Sequence, residues 1–249
     1  MSIYKKTRLD RLLVDNGLAE TRSRAADLIR RGCVKVEGRA ELKPGTLVAR
    51  DAELSLAPEA SPYVSRAGLK LAAALEAFAF DPKGRVTLDL GASTGGFTDL
   101  LIAKGAAKVY AVDVGSGQLH AKLRFNPKVV VLENTDARSL DRTVIGEEAG
   151  AIVADVSFIS LTLLLPAALK LATPGAWLVA LIKPQFEAGR EAVGKGGVVR
   201  EEKARQAAVA KVREFLENQP SWRVIGVIPS PLLGGSGNQE FLIGAVHGA

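Results

Sequence analysis

The chain has 249 residues, 47% hydrophobic and 24% charged, with 33 Lys and Arg against 27 Asp and Glu for a net charge of +6. That length suits one or two domains, and the balance of apolar and charged residues excludes a disordered chain. A single cysteine, Cys33, excludes an internal disulfide, and with only His120 and His247 there is no zinc-ligand spacing, so no metal site is expected.

Helical spacing of leucine and isoleucine predicts two short helices, Arg8 to Asn16 and Ser23 to Arg31. Gly17 ends the first, Thr21 stands as N-cap of the second and Gly32 as its C-cap. Val34-Lys35-Val36 alternates like a strand, Glu37-Gly38 turns, and Leu42 to Leu56 carries short strand signals broken by Pro44-Gly45 and Arg50-Asp51. Residues 58–62 have linker composition, which places a domain boundary there: 1–60 and 61–249. Beyond it, a helix from Gly68 to Phe80 is followed by strands at Val86 to Leu90, Val109 to Val112, Val129 to Leu132, Ala151 to Ala154 and Trp177 to Ile182, with a helix at Phe97 to Ala103. This alternation predicts an α/β domain with a doubly wound, largely parallel sheet. An amphipathic helix over Glu201 to Asn218 and strands at Arg223 to Ile228 and Glu240 to Val246 complete the pattern, and Gly189 to Gly197 is read as a mobile surface loop. The longest remaining apolar run, Ile159 to Ala172, is interrupted by Pro166 and Lys170 and is too short to cross a bilayer; with no apolar leader after Met1, a cytoplasmic address is expected.

The positive charge is unevenly placed. Residues 1–70 hold 14 Lys and Arg against 9 acids, leaving 19 against 18 for the rest. A basic small module implies a polyanionic partner, because neutralising phosphates releases counterions. Arg8, Arg11, Arg22, Arg24, Arg30, Arg31 and Lys35 are the candidate phosphate contacts.

Asp89-Leu90-Gly91-Ala92-Ser93-Thr94-Gly95-Gly96-Phe97-Thr98 lies where a strand opens into a helix. Glycines let backbone approach a ligand there, and the helix start offers unpaired N–H groups, so a nucleotide-like ligand is implied. The spacing departs from the dinucleotide fingerprint, and the acidic residue before the first glycine suits a cationic sulfonium ligand, S-adenosylmethionine, better than a pyrophosphate. Candidate cofactor contacts are Asp89, Gly91, Ser93, Gly95, Gly96 and Phe97. Asp113, ending the next strand about 20 residues on, is placed to accept both ribose hydroxyls. Asp136 after the third strand is a candidate for the adenine amino group, with Glu133 and Asn134 as alternatives. Lys70, Asp155, Lys183 and Glu240 stand at ends of separate elements, and the carboxyl ends of parallel strands are where ligands bind, so the four can converge on one crevice.

Thr7-Arg8-Leu9-Asp10, Ser23-Arg24-Ala25-Ala26 and the run from Ile29 through Gly32, Val34 and Val36 to Gly38 resemble the S4 RNA-binding pattern. Tyr63 to Lys70, Asp89 to Thr98, Lys183-Pro184-Gln185-Phe186-Glu187 and Gly237-Asn238-Gln239-Glu240-Phe241 resemble signatures of the TlyA family of ribosomal RNA 2′-O-methyltransferases, once named haemolysins. Nearly the whole chain is covered. The resemblance implies a Rossmann-like class I methyltransferase domain of FtsJ type behind a small α+β S4-type domain. It further implies that Lys70, Asp155, Lys183 and Glu240 form the Lys-Asp-Lys-Glu tetrad of ribose methyltransferases, with Lys183 assigned as base and Asp155 orienting it, acting on a cytidine of ribosomal RNA or ribosomal subunits. Base methylation fits less well. Asp155-Val156-Ser157-Phe158 lacks the Asn/Asp-Pro-Pro-aromatic pattern, and Cys33 lies in the wrong domain for a cytosine C5 nucleophile. A non-catalytic ribosome-assembly factor is the reading from another class; a membrane-lytic one lacks spanning helices or a barrel's repeated strands.

Overall fold

The structure, a computed structural model, describes residues 6–19, 21–30, 32–57 and 62–248. Arg31 and most of the linker segment lie outside the described residues, as do the side chains of Arg24 and Arg190. The chain divides into two compact units, Met1–Pro62 and Tyr63–Ala249.

The first unit runs β1 (Lys6–Arg8), α1 (Leu9–Asp15), α2 (Arg22–Arg30), β2 (Val34–Val36), β3 (Arg39–Ala40), β4 (Leu47–Ala49) and β5 (Leu54–Leu56). Arg8 does not open the first helix as expected. Its backbone is extended (φ −68°, ψ 139°) and it ends β1, which pairs antiparallel with β4. Leu9, Leu12 and Leu13 of α1 and Leu28 and Ile29 of α2 bury together with Val34, the helical spacing that the sequence carries. Gly32 closes α2 at φ +70°, where its N–H reaches the Ile29 carbonyl and that of Cys33 reaches Leu28, a Schellman end.

The second unit contains α3 (Ala67–Ala77), β6 (Val86–Leu90), α4 (Gly96–Ala103), β7 (Lys108–Val112), α5 (Ala121–Arg124), β8 (Val129–Leu132), α6 (Arg142–Ile145), β9 (Ala149–Ala154), α7 (Leu161–Leu169), β10 (Ala172–Ile182), α8 (Pro184–Glu187), α9 (Glu202–Glu217), β11 (Trp222–Pro229) and β12 (Phe241–His247). Its seven strands lie in the order β11-β12-β10-β9-β6-β7-β8. β10, β9, β6, β7 and β8 run parallel, and β12 returns antiparallel between β10 and β11. Alternate residues of each strand feed different cores. Leu88, Leu90, Ile152 and Ala154 meet α7 and α9 on one face, while Ala151, Val153, Val179 and Leu181 meet α3 and α4 on the other. The result is a three-layer α/β/α unit with strands buried on both faces, which is why they read as continuous apolar runs.

The structure refines three readings of this unit. The helix predicted to reach Phe80 stops at Ala77, because Ala79 takes φ +53°, a left-handed backbone that no helix continues through. The apolar run from Ile159 forms α7, in which Pro166 is accommodated. The segment read as a mobile loop is tied down: Asn238, itself buried, donates to the Gly197 carbonyl and accepts the Val199 N–H.

Phe78, just past α3, lies flat against the two outer strands. A Cβ on Gly244 would come within 2.6 Å of its ring, and one on Gly226 within 3.2 Å. Gly244→Ala is therefore expected to destabilise the protein by about 1–3 kcal/mol through overpacking. Gly235→Ala, whose Cβ would meet nothing, should stay within about 0.5 kcal/mol; urea unfolding of both variants checks the pair.

Candidate active site

The chain adds β7 and β8 on one side of β6, then crosses back to add β9 and β10 on the other, so the ends of β6 and β9 part above the sheet. Such a switch point is where open α/β sheets bind ligands. A cavity of about 450 Å³ opens there, lined by Gly91, Ser93, Asp113, Asp136 and Asp155 with Val112, Val156, Ile159 and Leu164. A second, of about 170 Å³, shares Gly91, Ser93, Asp155 and Ser157 with it and adds Gly96, Phe97 and Lys183.

The glycines of the first loop serve the protein as much as any ligand. A Cβ on Gly91 would stand 2.7 Å from the Asp155 carbonyl oxygen, one on Gly95 would strike Leu123 and Leu119, and one on Gly96 would strike Ser65. Gly91 and Gly95 also hold φ of +82° and +95°. Close packing of β6, β9, α5 and the residues before α3 thus requires the motif before any ligand arrives.

The acidic candidates differ sharply in setting. Asp89 is fully buried and does not line either cavity; its Oδ2 accepts the Thr98 hydroxyl at 2.6 Å, and its Oδ1 has no partner. Burial pushes its pKa up to about 7, against the pull of the Thr98 hydroxyl and with help from the Asp155 and Asp113 charges. Asp113 does line the larger cavity, and its two oxygens accept the N–H groups of Ser93 (2.8 Å) and Gly115 (2.7 Å), which fixes the carboxylate while leaving lone pairs free. Asp136 lines the same cavity but is gripped by Arg138 through both oxygens, which holds its carboxyl below the usual range. A ligand amino group would have to share or displace that guanidinium.

The four polar candidates form two ion pairs. Lys183 Nζ stands 2.7 Å from Asp155 Oδ1 but directs its hydrogen bond to Ser157 Oγ at 3.0 Å. Lys70 Nζ meets Glu240 Oε2 at 2.5 Å, 170 residues apart in sequence. Lys70 lines a further cavity of about 210 Å³ that shares Ser65 and Ala67 with the cavity holding Lys183. The two pairs therefore face adjoining spaces on either side of one short segment. Sequence reasoning missed Ser157, Ser65 and Arg138. It also missed Phe158, which is 90% exposed at φ +68° on the rim and leans on Phe186 at a centroid distance of 5.2 Å. The left-handed backbone of a bulky residue leaves no mark in residue type.

In the first unit, Arg8 and Arg22 both pair with the buried Asp10, whose carboxyl falls to about 2, chiefly through the Arg8 hydrogen bonds. Arg11 approaches Asp15 at 3.8 Å, and Arg30 and Lys35 are exposed.

Residues 63–246 match the model of the FtsJ-like methyltransferases, and residues 7–54 match the S4 domain. The chain is 46% identical to the 16S/23S rRNA (cytidine-2′-O)-methyltransferase TlyA of Mycobacterium tuberculosis, over 96% of this chain and 89% of that one. It is 39% identical to Hemolysin A of Brachyspira hyodysenteriae, over 94% and 98%. A solved structure of a Streptococcus thermophilus protein named as a hemolysin superposes with a TM-score of 0.76 at 41% identity, covering 98% of this chain and 90% of that one. Among the described residues no helix is long and apolar enough to cross a membrane.

The raised pKa of Asp89 has a consequence for the ligand-free protein. Its carboxyl is protonated in folded and unfolded chains below about pH 4, but above that only the unfolded chain sheds the proton freely. The contribution is thus complete at low pH and disappears as pH rises through about 7. Between pH 5 and pH 8.5 the protein should lose on the order of 2–3 kcal/mol more stability than Asp89→Asn does; parallel urea curves for the two check it, and identical pH dependence would place Asp89 in an ordinary ionised state.

Proposed function

The chain belongs to the TlyA family of FtsJ-like methyltransferases with an S4 domain, and we propose from that premise that it methylates the ribose 2′-hydroxyl of a cytidine in ribosomal RNA, using S-adenosylmethionine in the cytoplasm. The observation that carries the reading is the Lys183–Asp155 pair beside a glycine loop at the sheet's switch point. The name of the mycobacterial relative supports the acceptor.

The larger cavity suits an adenosine. Val112, Val156, Ile159 and Leu164 offer apolar walls for a flat ring, and the fixed Asp113 carboxylate offers acceptors for two ribose hydroxyls. The orphaned Asp89 oxygen behind the loop adds latent negative charge beneath a ligand that carries a sulfonium and an ammonium. When bound, S-adenosylmethionine supplies an electrophilic methyl group. The protein's own task is then to hold the acceptor oxygen in line and take its proton.

Lys183 is the group for that proton. An amine accepts a proton only in its neutral form, after which Asp155 and the Ser157 hydroxyl stabilise the ammonium that results. Lys70, anchored by Glu240, presents a cation one cavity away, where it can hold the ribose or its flanking phosphate in place. The sulfonium leaves as a neutral thioether, so the departing group needs no cation to stabilise it. The S4-type unit, with Arg8, Arg11, Arg22, Arg24, Arg30, Arg31 and Lys35, supplies the phosphate grip: residues 1–62 hold 12 Lys and Arg against 9 acids, the same excess that residues 63–249 spread over three times the length with 21 against 18.

Mass-spectrometric mapping of ribose methylation in ribosomal RNA, from cells with and without the gene, tests the reading as a whole: a cytidine 2′-O-methyl group should vanish with the gene, and unchanged maps would sink it. Within the site, Lys183→Ala should bind both ligands yet slow single-turnover methyl transfer by about a hundredfold or more. Lys183→Arg should not rescue it, since guanidinium stays charged at working pH; near-normal rates in either variant would remove Lys183 as base. Asp113→Ala should weaken S-adenosylmethionine by about 1.5–3 kcal/mol with rRNA affinity nearly intact, as calorimetry with each ligand would register.

A further inference from the structure

Beyond the two ion pairs, the second unit contains a buried polar cluster around Glu187 that the chemistry above leaves unused. Glu187, at the end of α8, is 6% exposed, and its side chain is almost completely covered. Its Oε1 accepts the backbone N–H of Leu161 at 2.7 Å, and its Oε2 accepts the hydroxyl of Ser160 at 2.5 Å. Lys211 of α9 approaches the same Oε2 at 3.3 Å and donates to the Glu187 backbone carbonyl at 3.1 Å. The carboxylate thus seals the first turn of α7, where an anion is favoured, and its charge is matched by a lysine.

The placement of this cluster relates it to the crevice. Asp155 follows β9, and five residues later the chain reaches Ser160; Lys183 follows β10, and four residues later it reaches Glu187. The two segments leave neighbouring parallel strands and touch at three successive levels. Lys183 meets Asp155 and Ser157, Phe186 meets Phe158, and Glu187 meets Ser160 and Leu161. The first two contacts are at the open mouth, where Ser157 and Phe158 are exposed. The third is the most deeply buried of the three, so it is the contact best shielded to hold the segments in fixed register when ligands come and go.

We propose that Glu187 is a positioning residue: by clamping the start of α7 to the end of α8, it sets the distance and orientation between Lys183 and the Asp155 loop, and so the position of the amine against the acceptor oxygen. The inference rests on the reading of Lys183 as the proton acceptor. A carboxylate is needed because the site presents three donors, the Leu161 N–H, the Ser160 hydroxyl and the Lys211 ammonium. An amide in its place would keep one acceptor and turn a donor toward the other two.

The test is Glu187→Gln in the full-length protein, assayed by single-turnover methylation of rRNA at saturating S-adenosylmethionine, with the dissociation constants of both ligands measured in parallel. The expected result is a rate lowered about tenfold or more, with both dissociation constants within about twofold. Ser160→Ala removes the hydroxyl half of the clamp and the cap on the Thr162 N–H while leaving Glu187 bonded to the Leu161 N–H, and should lower the rate in the same direction by less. Ser160→Ala combined with Glu187→Gln should be little worse than Glu187→Gln alone, because the two act through one contact. Rates near that of the unsubstituted protein in the folded variants would overturn the proposal. So would a rate loss matched by equal losses of ligand affinity, which is the mark of a general packing role. If Glu187→Gln does not fold, Ser160→Ala decides by the same criteria. An inactive unsubstituted protein would instead count against the proposed reaction, so the two failures are distinguishable.

Discussion

Where β6 and β9 lie side by side, the chain above them departs in opposite directions, and the gap between is held open by a backbone contact with no room for a side chain. Gly91 leaves β6 so close to the Asp155 carbonyl that a methyl group there would overlap it. Were these strand ends forced apart, the Asp155 side would move away from the loop that carries Ser93, and the shared wall of the two cavities would be lost. The left-handed turn at Gly91, the placement of Asp113 through the Ser93 N–H, and the approach of Lys183 to Asp155 all depend on that single close passage.

The charges around the gap are poor candidates for stabilising the fold. Lys70 and Glu240 are 11% and 3% exposed, and Lys183 and Asp155 are 12% and 17% exposed. Removing such groups from water costs several kcal/mol each, which the pairing roughly offsets and rarely exceeds. Asp89 adds a carboxyl with an unpartnered oxygen in the same region. Stability comes instead from the apolar layers on both sides of the sheet, where each fully buried Leu, Ile or Val contributes about 1.5–3 kcal/mol. A site whose polar groups cost stability and whose walls supply it is what catalysis by prearranged charges requires.

The sequence made the sheet readable because its strands are covered on both faces. Ala151 to Ala154 and Trp177 to Ile182 are unbroken apolar runs for that reason, and Val86 to Leu90 departs from one only at Thr87 and Asp89, both buried. α7 was opaque for the same reason: apolar nearly all round, with Pro166 inside, it shows no helical stripe. The first half of β10 hides behind Pro174-Gly175, where its register against β9 shifts. In the site, residue types at strand ends were legible, but pairings were not. That Lys70 faces Glu240 follows from β12 turning back beside β10 and α3 packing against it, facts of topology that no local spacing carries. Arg138 over Asp136 and Glu187 beneath α7 were invisible, since a surface arginine and a helix-end glutamate look ordinary until their partners are known.

The first unit shows a different use of charge. Asp10 is buried, yet the two arginines that hold it are 50% and 60% exposed, so each guanidinium keeps an open edge. The pairing leaves the unit's net charge unchanged and fixes the direction of both groups. An arginine already held in place loses less freedom when it meets a phosphate than one that must first be ordered. Phosphates, however, are the same at every nucleotide, so contacts of this kind position an RNA without reading it. On the proposed reading, the choice of a cytidine therefore falls to the second unit, on the acceptor side of the crevice, where Lys183 and Lys70 face adjoining cavities.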